Sequence, residues 1–174
     1  FFHFSNLRTC FYSLIYILYN LLNNINHADQ EIRDKIWRRE QNRGIEMSGK
    51  TFGIIGYGNN GSAFANLLQN FNIKILAYDK YKQSYPYQAD MSEITDKADF
   101  ISLHIPLNKE TEYLVNNEFI KKIRLEKAKQ FLESSDYSIS EISFKVGFSS
   151  PSYFTKCYKT QFGNLPTEVR DTNN

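Results

Sequence analysis

Asn116–Leu125, which reads NNEFIKKIRL, divides this 174-residue chain into two kinds of text. Upstream, Lys50–Gly56 is an apolar, β-rich run that leads into Gly56–Tyr–Gly58–Asn–Asn–Gly61 and then into a stretch of small and apolar residues, Ala63, Ala65, Leu67 and Leu68. Strand and helix signals alternate from there to Pro106, the pattern of a parallel α/β sheet. Downstream of Thr111 no segment has strand periodicity, and Phe119, Ile123, Leu125, Ala128, Phe131 and Leu132 recur at helical spacing. The chain is read as an α/β sheet followed by an all-α segment.

Bulk composition allows one ordinary domain or two small ones. With 41% hydrophobic and 23% charged residues the chain is globular in character, and 14 Phe and 12 Tyr supply core material. Charge is unevenly spread: residues 1–120 hold 12 Lys+Arg against 13 Asp+Glu, and residues 121–174 hold 9 against 6. A basic C-terminal third hints at nucleic acid, although a solvated helical surface would look the same. Cys10 and Cys157 follow no metal or redox spacing, so a reduced, cytoplasmic setting is expected. The apolar run Phe11–Leu22 is too short to span a bilayer and reads as an amphipathic helix packed on the next domain. No membrane role is expected. A chain that opens on Phe1 is expected to be a fragment.

Three domains are expected: an N-terminal helical segment over 1–28, a nucleotide-binding α/β domain over 29–120, and an all-α module over 121–174. Within them the signals predict a polar helix from Asp29 to Arg39, capped by Asp29 and anchored by Trp37, and strands at 50–56, 74–78 and 99–105. Helices are predicted over 61–69, 92–97 and 117–134. Residues 83–89 read as irregular, with room for a weak strand near Gln88, and 171–174 as a polar tail.

The glycine spacing carries chemistry. Gly56 permits a tight turn, Gly58 lets backbone approach a pyrophosphate, and Gly61 lets helix sit close to strand. The N–H groups that open the helix, at Asn59 and Asn60, then face an anion, aided by the helix dipole. Asp79 ends the second strand 23 residues past Gly56, where a carboxylate would accept bonds from ribose hydroxyls and repel a 2′-phosphate. The cofactor is therefore read as NAD. The alternative is a glycine turn that binds nothing.

Residues 21–120 resemble the NAD-binding domain of the D-isomer-specific 2-hydroxyacid dehydrogenases of phosphoglycerate dehydrogenase type. The matching text is LLNNINHADQEIR, Trp37–Arg38–Arg39–Glu40, NRGIEMSGKTFGIIGYGNNGSAFA, and ADFISLHIPL with Thr111 behind it. The resemblance implies a truncated Rossmann-like fold and makes His104, Pro106 and Thr111 secondary cofactor contacts. A strand-end histidine with a backbone partner is an equal reading of His104. Three departures stand out. The family's substrate-binding Arg and its acid/base Glu and His should follow residue 120, and none appears there. Asn60 stands where the family usually has an apolar residue. The strand that would pair the outer edge of 99–105 is missing, leaving an open apolar edge.

The second half has its own grammar. Ser138–x–x–Glu141 is a capping box, Ile139, Ile142 and Val146 form an apolar stripe, and Gly147 ends the helix where a positive φ is required. Phe148 plugs the angle, Ser150 caps the next helix, Pro151 suits its first turn, and Gly163 stops it. Tyr153, Phe154, Tyr158 and Phe162 are expected in the core. Two helices about a short glycine turn fit a helix-turn-helix. Ser150, Ser152, Thr155, Lys156 and Lys159 are then the DNA-facing candidates, with Arg124 and Lys145 contacting the DNA backbone. A small helical bundle with solvated lysines is the plain alternative.

Ile123–Arg170 is similar to the C-terminal half of the AraC/XylS DNA-binding domain. Ser143 stands where Ala is commoner, Tyr158 where Phe is, and Val169 where Tyr is. The family sets two helix-turn-helix units one helical turn apart on DNA, and only the joining helix and the second unit are legible here. The resemblances together imply a DNA-binding regulator fused to an NAD-binding fragment that lacks catalytic groups. The alternatives are a truncated 2-hydroxyacid dehydrogenase and a fusion with neither function. DNA and NAD are the expected partners, and the dehydrogenase resemblance adds a homodimer.

Overall fold

The computed structural model describes residues 7–171, with side chains described over 14–170. Two compact units result. The first comprises residues up to 88 together with 99–104, and the second comprises 89–98 together with 105 onward.

In the first unit, helices α1 (Leu7–Leu22) and α2 (Ile25–Arg33) precede strand β1 (Thr51–Ile55), helix α3 (Asn59–Leu68), strand β2 (Lys74–Tyr78) and strand β3 (Phe100–Leu103). The sheet is parallel throughout, in the order β2–β1–β3. Residues 83–88 are irregular as expected, with a single parallel bridge between Ala77 and Gln88. The core gathers Phe52 and Ile54 of β1, Ile75 and Ala77 of β2, and Phe64, Ala65 and Leu68 of α3. Phe52 stacks on Phe100 across the sheet, with ring centroids 4.8 Å apart. Leu14, Ile15, Leu18 and Leu22 of α1 pack on this core while Tyr16, Ile17 and Leu21 stay exposed, so α1 is amphipathic.

Two expectations about this unit change. The polar helix runs over 25–33, not 29–39. Asn24, at φ 51°, breaks α1 from α2, and Lys35, at φ 59°, turns the chain out of α2. Asp29 therefore lies mid-helix and pairs with Arg33 at 2.8 Å instead of capping. Trp37 lies past the turn and is 77% exposed, so it anchors nothing. Glu31 ties the following loop down instead, accepting from Asn42 Nδ2 at 2.6 Å. Secondly, β3 spans 100–103, shorter than the expected 99–105, and is half-buried, with Leu103 45% exposed. Among the described residues it pairs with β1 alone, and no strand pairs its outer edge, as expected.

The second unit holds α4 (Met91–Lys97), α5 (Asn117–Ser134), α6 (Ile139–Lys145), α7 (Pro151–Phe162) and α8 (Pro166–Asp171). Asn116 caps α5 by accepting from Phe119 N at 2.8 Å. Leu125, Ala128 and Leu132 then face Ile142, Val146, Phe148, Phe154 and Tyr158 in one core. Tyr153 departs from expectation: it is 53% exposed, because Phe154 and Tyr158 already fill the inner face of α7. Helix α8 went unforeseen. Glu168 Oε2 accepts from Leu165 N at 2.7 Å and closes its first turn, and Pro166 is fully buried.

Candidate cofactor cradle and nucleic-acid interface

Chain geometry brings the glycine-loop residues together at the carboxyl edge of the sheet, where ligands of open α/β sheets sit. Gly56 leaves β1 at φ 95°, a conformation that favours glycine, and its N–H donates to Tyr78 O at 2.7 Å. Gly61 sits directly over it: a β-carbon there would lie 1.9 Å from Gly56 O. Gly58 is extended, and nothing lies within 4 Å of the point where its side chain would start. Helix α3 opens with the exposed Asn59 and Asn60, and its first turn leaves N–H groups without intrahelical partners.

Asp79 is held against this loop. Its carboxylate accepts from Tyr57 N at 2.8 Å, Tyr81 N at 2.9 Å and Lys82 N at 3.0 Å. Burial alone would raise its pKa, but these N–H groups and the Lys82 charge outweigh burial and hold it below the usual carboxylate value. It stays ionised, and a carboxylate has about four acceptor positions, which leaves one for a ligand. Tyr57, passed over in the sequence reading, is buried and stacked on Tyr85 at 4.8 Å; Lys82 Nζ lies 3.4 Å from its carbonyl. No residue type in the motif signals that packing, since the middle position of a glycine loop tolerates many side chains.

His104 follows β3 beside the loop. Its N–H donates to Ile55 O at 2.8 Å, its Nε2 is 2.9 Å from Ser102 Oγ, and its ring lies 5.1 Å from that of Phe64. Burial pushes its pKa down, so the ring is neutral near pH 7. Pro106 and Thr111 fall in the second unit. There they hold each other: the Thr111 hydroxyl donates to Pro106 O, and Asn108 N donates to Thr111 Oγ1 at 3.0 Å. The fit of this site to a dinucleotide rests on the Gly56–Gly61 contact and on the open space at Gly58. A side chain at either position would fill the cradle or break it.

The helical unit is built as its local signals require. Ser138 Oγ accepts from Glu141 N at 3.2 Å and Glu141 Oε2 accepts from Ser138 N at 2.7 Å, which completes the capping box. Gly147 adopts φ 88°, and the Arg124 guanidinium lies over it. Ser150 Oγ accepts from Tyr153 N at 3.4 Å, and Gly163 stops α7 at φ 82°. On α7, Ser152, Lys156 and Lys159 are exposed and share one face at helical spacing. Thr155 is half-buried, and its hydroxyl donates to Pro151 O at 3.0 Å; the Ser150 hydroxyl serves as the cap. Lys145 Nζ lies 4.4 Å from the Tyr137 ring centroid. Tyr153, expected in the core, is exposed, and so is Phe144, which the sequence did not mark; the helical period alone does not say which aromatics face outward.

Among the described residues no helix is long and apolar enough to cross a membrane, and no cluster of metal-ligating side chains forms.

A parallel sheet whose first strand feeds a glycine loop, followed by a capped helix-turn-helix, defines a Rossmann-type nucleotide-binding fragment joined to a DNA-binding motif. The family model for the D-isomer-specific 2-hydroxyacid dehydrogenase NAD-binding domain matches residues 15–128, and a helix-turn-helix domain model matches 116–172. The chain belongs to the family of D-isomer-specific 2-hydroxyacid dehydrogenase NAD-binding domains, and it carries an AraC-type helix-turn-helix as well. It is similar to a hydroxypyruvate reductase of Thermotoga maritima, at 36% identity over 103 residues, covering 58% of this chain and 34% of the relative. Over 55 residues it is 47% identical to histidine kinase P4 of Formosa agariphila, covering 32% of this chain and 4% of that protein. Among solved structures, the NAD-dependent formate dehydrogenase of Staphylococcus aureus in complex with NAD superposes with a TM-score of 0.62 at 27% identity, covering 68% of this chain and 38% of that one. The chain thus spans about a third of the length of the dehydrogenases it matches.

Proposed function

We propose that this chain binds duplex DNA through α7 and holds NAD in the glycine cradle without turning it over. The carrying observation is a helix-turn-helix with its capping box, its positive-φ turn and its capped second helix all formed, presenting Ser152, Lys156 and Lys159 to solvent. In such a motif the N-terminal end of the second helix enters the major groove. Ser152 is assigned to base edges, and Lys156 and Lys159 to phosphates or guanine. Thr155 offers its methyl and a hydroxyl already bonded to the helix, Ser150 its cap geometry, and Arg124 and Lys145 backbone contacts.

In the cradle, N–H groups at Gly58, Asn59, Asn60 and Gly61 would hold the pyrophosphate above Gly56, and Asp79 the ribose; His104, Pro106 and Thr111 are secondary contacts. Bound NAD supplies a hydride acceptor, yet hydride transfer also needs a group that takes the hydroxyl proton. Where the family is expected to place its Arg, Glu and His, this chain has α5 to α8. A homodimer extends the reading: two copies would restore the pair of helix-turn-helix units one helical turn apart. A compartment where DNA, NAD and the reduced, buried Cys157 coexist is the cytoplasm.

Gel retardation at low salt with and without NAD tests the reading. Retardation of duplex DNA is expected; none at any protein concentration would end it. Nicotinamide absorbance with hydroxy acids should show no turnover, and sedimentation equilibrium should show the dimer.

A further inference from the structure

We propose that a groove beside the start of α7, lined by Lys121, Arg124, Gly147, Ser149 and Tyr153, clamps one backbone phosphate of duplex DNA, and that Glu118 weakens the clamp. This rests on the DNA-binding reading above, and to the backbone contact already given to Arg124 it adds Lys121, Tyr153 and the opposing Glu118. The groove has a volume of about 330 Å³ and lies wholly within the second unit.

Lys121 and Arg124 are three residues apart on α5, so their side chains rise from the same face. Both line the groove. Arg124 has no ion-pair partner among the described residues. Its guanidinium lies over Gly147, where an added β-carbon would stand 3.2 Å from it, so it is placed by packing on the turn and not by a carboxylate. Five N–H donors in a fixed fork then seek an anionic acceptor, and phosphate matches that fork. Lys121 Nζ lies 2.8 Å from Glu118 Oε1, a pair with Glu118 77% exposed, which water and salt screen strongly. A phosphate arriving at the groove competes for the same ammonium.

Tyr153 supplies the third wall. It is 53% exposed although Phe154 and Cys157 beside it on α7 are buried, and its ring centroid lies 6.0 Å from that of Phe148. A tyrosine hydroxyl can donate to phosphate oxygen. Two cations and one carboxylate leave the groove net positive. It adjoins the first turn of α7, the part of a helix-turn-helix that approaches the duplex, which is why a DNA phosphate is favoured over an acidic peptide.

The test uses the full chain and a duplex binding site, with dissociation constants measured from 50 to 200 mM salt. Lys121→Gln should lower the slope of log K against log salt by about 0.9, which shrinks the loss of affinity across that range by roughly 3.5-fold. Glu118→Gln should tighten binding at every salt concentration, and Tyr153→Phe should weaken it a few-fold without changing the slope. Circular dichroism melts of each variant verify folding, and the opposite sign expected for Glu118→Gln cannot come from misfolding. An unchanged slope in Lys121→Gln, or no gain in Glu118→Gln, would overturn the clamp while leaving DNA binding intact. Absence of DNA binding by the unaltered protein would sink both readings together.

Discussion

Two alanine substitutions, five and two residues into the glycine loop, should separate folding from cofactor binding. At Gly61 a β-carbon would stand 1.9 Å from Gly56 O, 3.0 Å from Gly56 C and 3.3 Å from Ile54 Cγ2. A carbon–oxygen contact needs about 3.3 Å or more, so α3 must retreat by roughly 1.4 Å. Both close atoms are backbone and cannot rotate away. Overpacking typically costs about 1–3 kcal/mol, and the upper end applies where nothing can yield. A loss of ~3 kcal/mol is a large share of the ~5–15 kcal/mol that a domain holds. At Gly58 the geometry is opposite. The backbone is extended at φ −74°, and the added methyl meets nothing within 4 Å. Gly58→Ala should leave stability unchanged or raise it by up to about 1 kcal/mol through a stiffer unfolded chain. Its methyl would stand where the pyrophosphate comes close, however. Loss of even one charge-assisted bond of about 1.5–3 kcal/mol weakens NAD by roughly 10- to 100-fold. Urea unfolding followed by circular dichroism reads stability, and calorimetric titration reads NAD. Undiminished NAD affinity in Gly58→Ala would refute the cradle, and unaltered stability in Gly61→Ala would refute the helix–loop contact.

Three further outcomes are expected. The Tyr158 hydroxyl is fully buried without a partner, and burial pushes its pKa up to about 12. Tyr158→Phe should therefore stabilise the helical unit by about 1 kcal/mol, since a buried unsatisfied group costs roughly 1–3 kcal/mol. Because the folded pKa is raised, the neutral phenol's contribution is complete below pH 10 and lost as pH climbs toward 12; of the alkaline tyrosinate absorbance from twelve tyrosines, the last component, near pH 12, should be lost in the variant while the rest persists. Ser138→Ala removes one half of the capping box and should cost about 1 kcal/mol in a thermal melt, and a melt matching the parent would argue against the cap. Asp79→Asn replaces a carboxylate that receives three backbone N–H groups and should cost roughly 1–3 kcal/mol at neutral pH. The Asp79 pKa is depressed, so its stabilisation is present above its ordinary value of 3.8 and disappears as pH falls through the folded value; acid titration of parent and variant should converge there.

What could be read in advance was what local geometry dictates. β2 over Lys74–Tyr78 and α5 over Asn117–Ser134 match the expected bounds, because each is flanked by strong punctuation and carries an unbroken period. The positive φ at Gly56, Gly147 and Gly163 and the Ser138 box follow from residue types that can do little else. What escaped were questions of facing and of competing partners. Asn24 and Lys35 take positive φ without being glycine, so nothing in the text marked the true ends of α2. Tyr153 and Tyr158 are alike as letters, yet one is exposed and one is sealed. The hydroxyls of Thr111 and Thr155, both assigned to ligands from sequence, bond nearby backbone carbonyls, a local alternative always open to threonine.

The junction itself has a packing explanation. Both family models claim residues 116–128, and that stretch lies almost wholly in α5. Along α5 the residues from Asn117 to Arg124 include none that is fully buried, whereas Leu125, Ala128 and Leu132 are sealed in the helical core. The first two turns therefore need only helix-forming residues with a partial apolar stripe, a requirement that Phe119, Ile120 and Ile123 meet among lysines. Text of that kind satisfies many helices equally well, so a change of ancestry there disturbs no core contact. Leu125 and Ala128, which lie in the same shared stretch, pack in one core with Ile142 and Phe154, and large-to-small errors at such positions cost about 2–5 kcal/mol each. The two family patterns meet within α5, whose first turns place few demands on side chains and whose later turns carry the helical core.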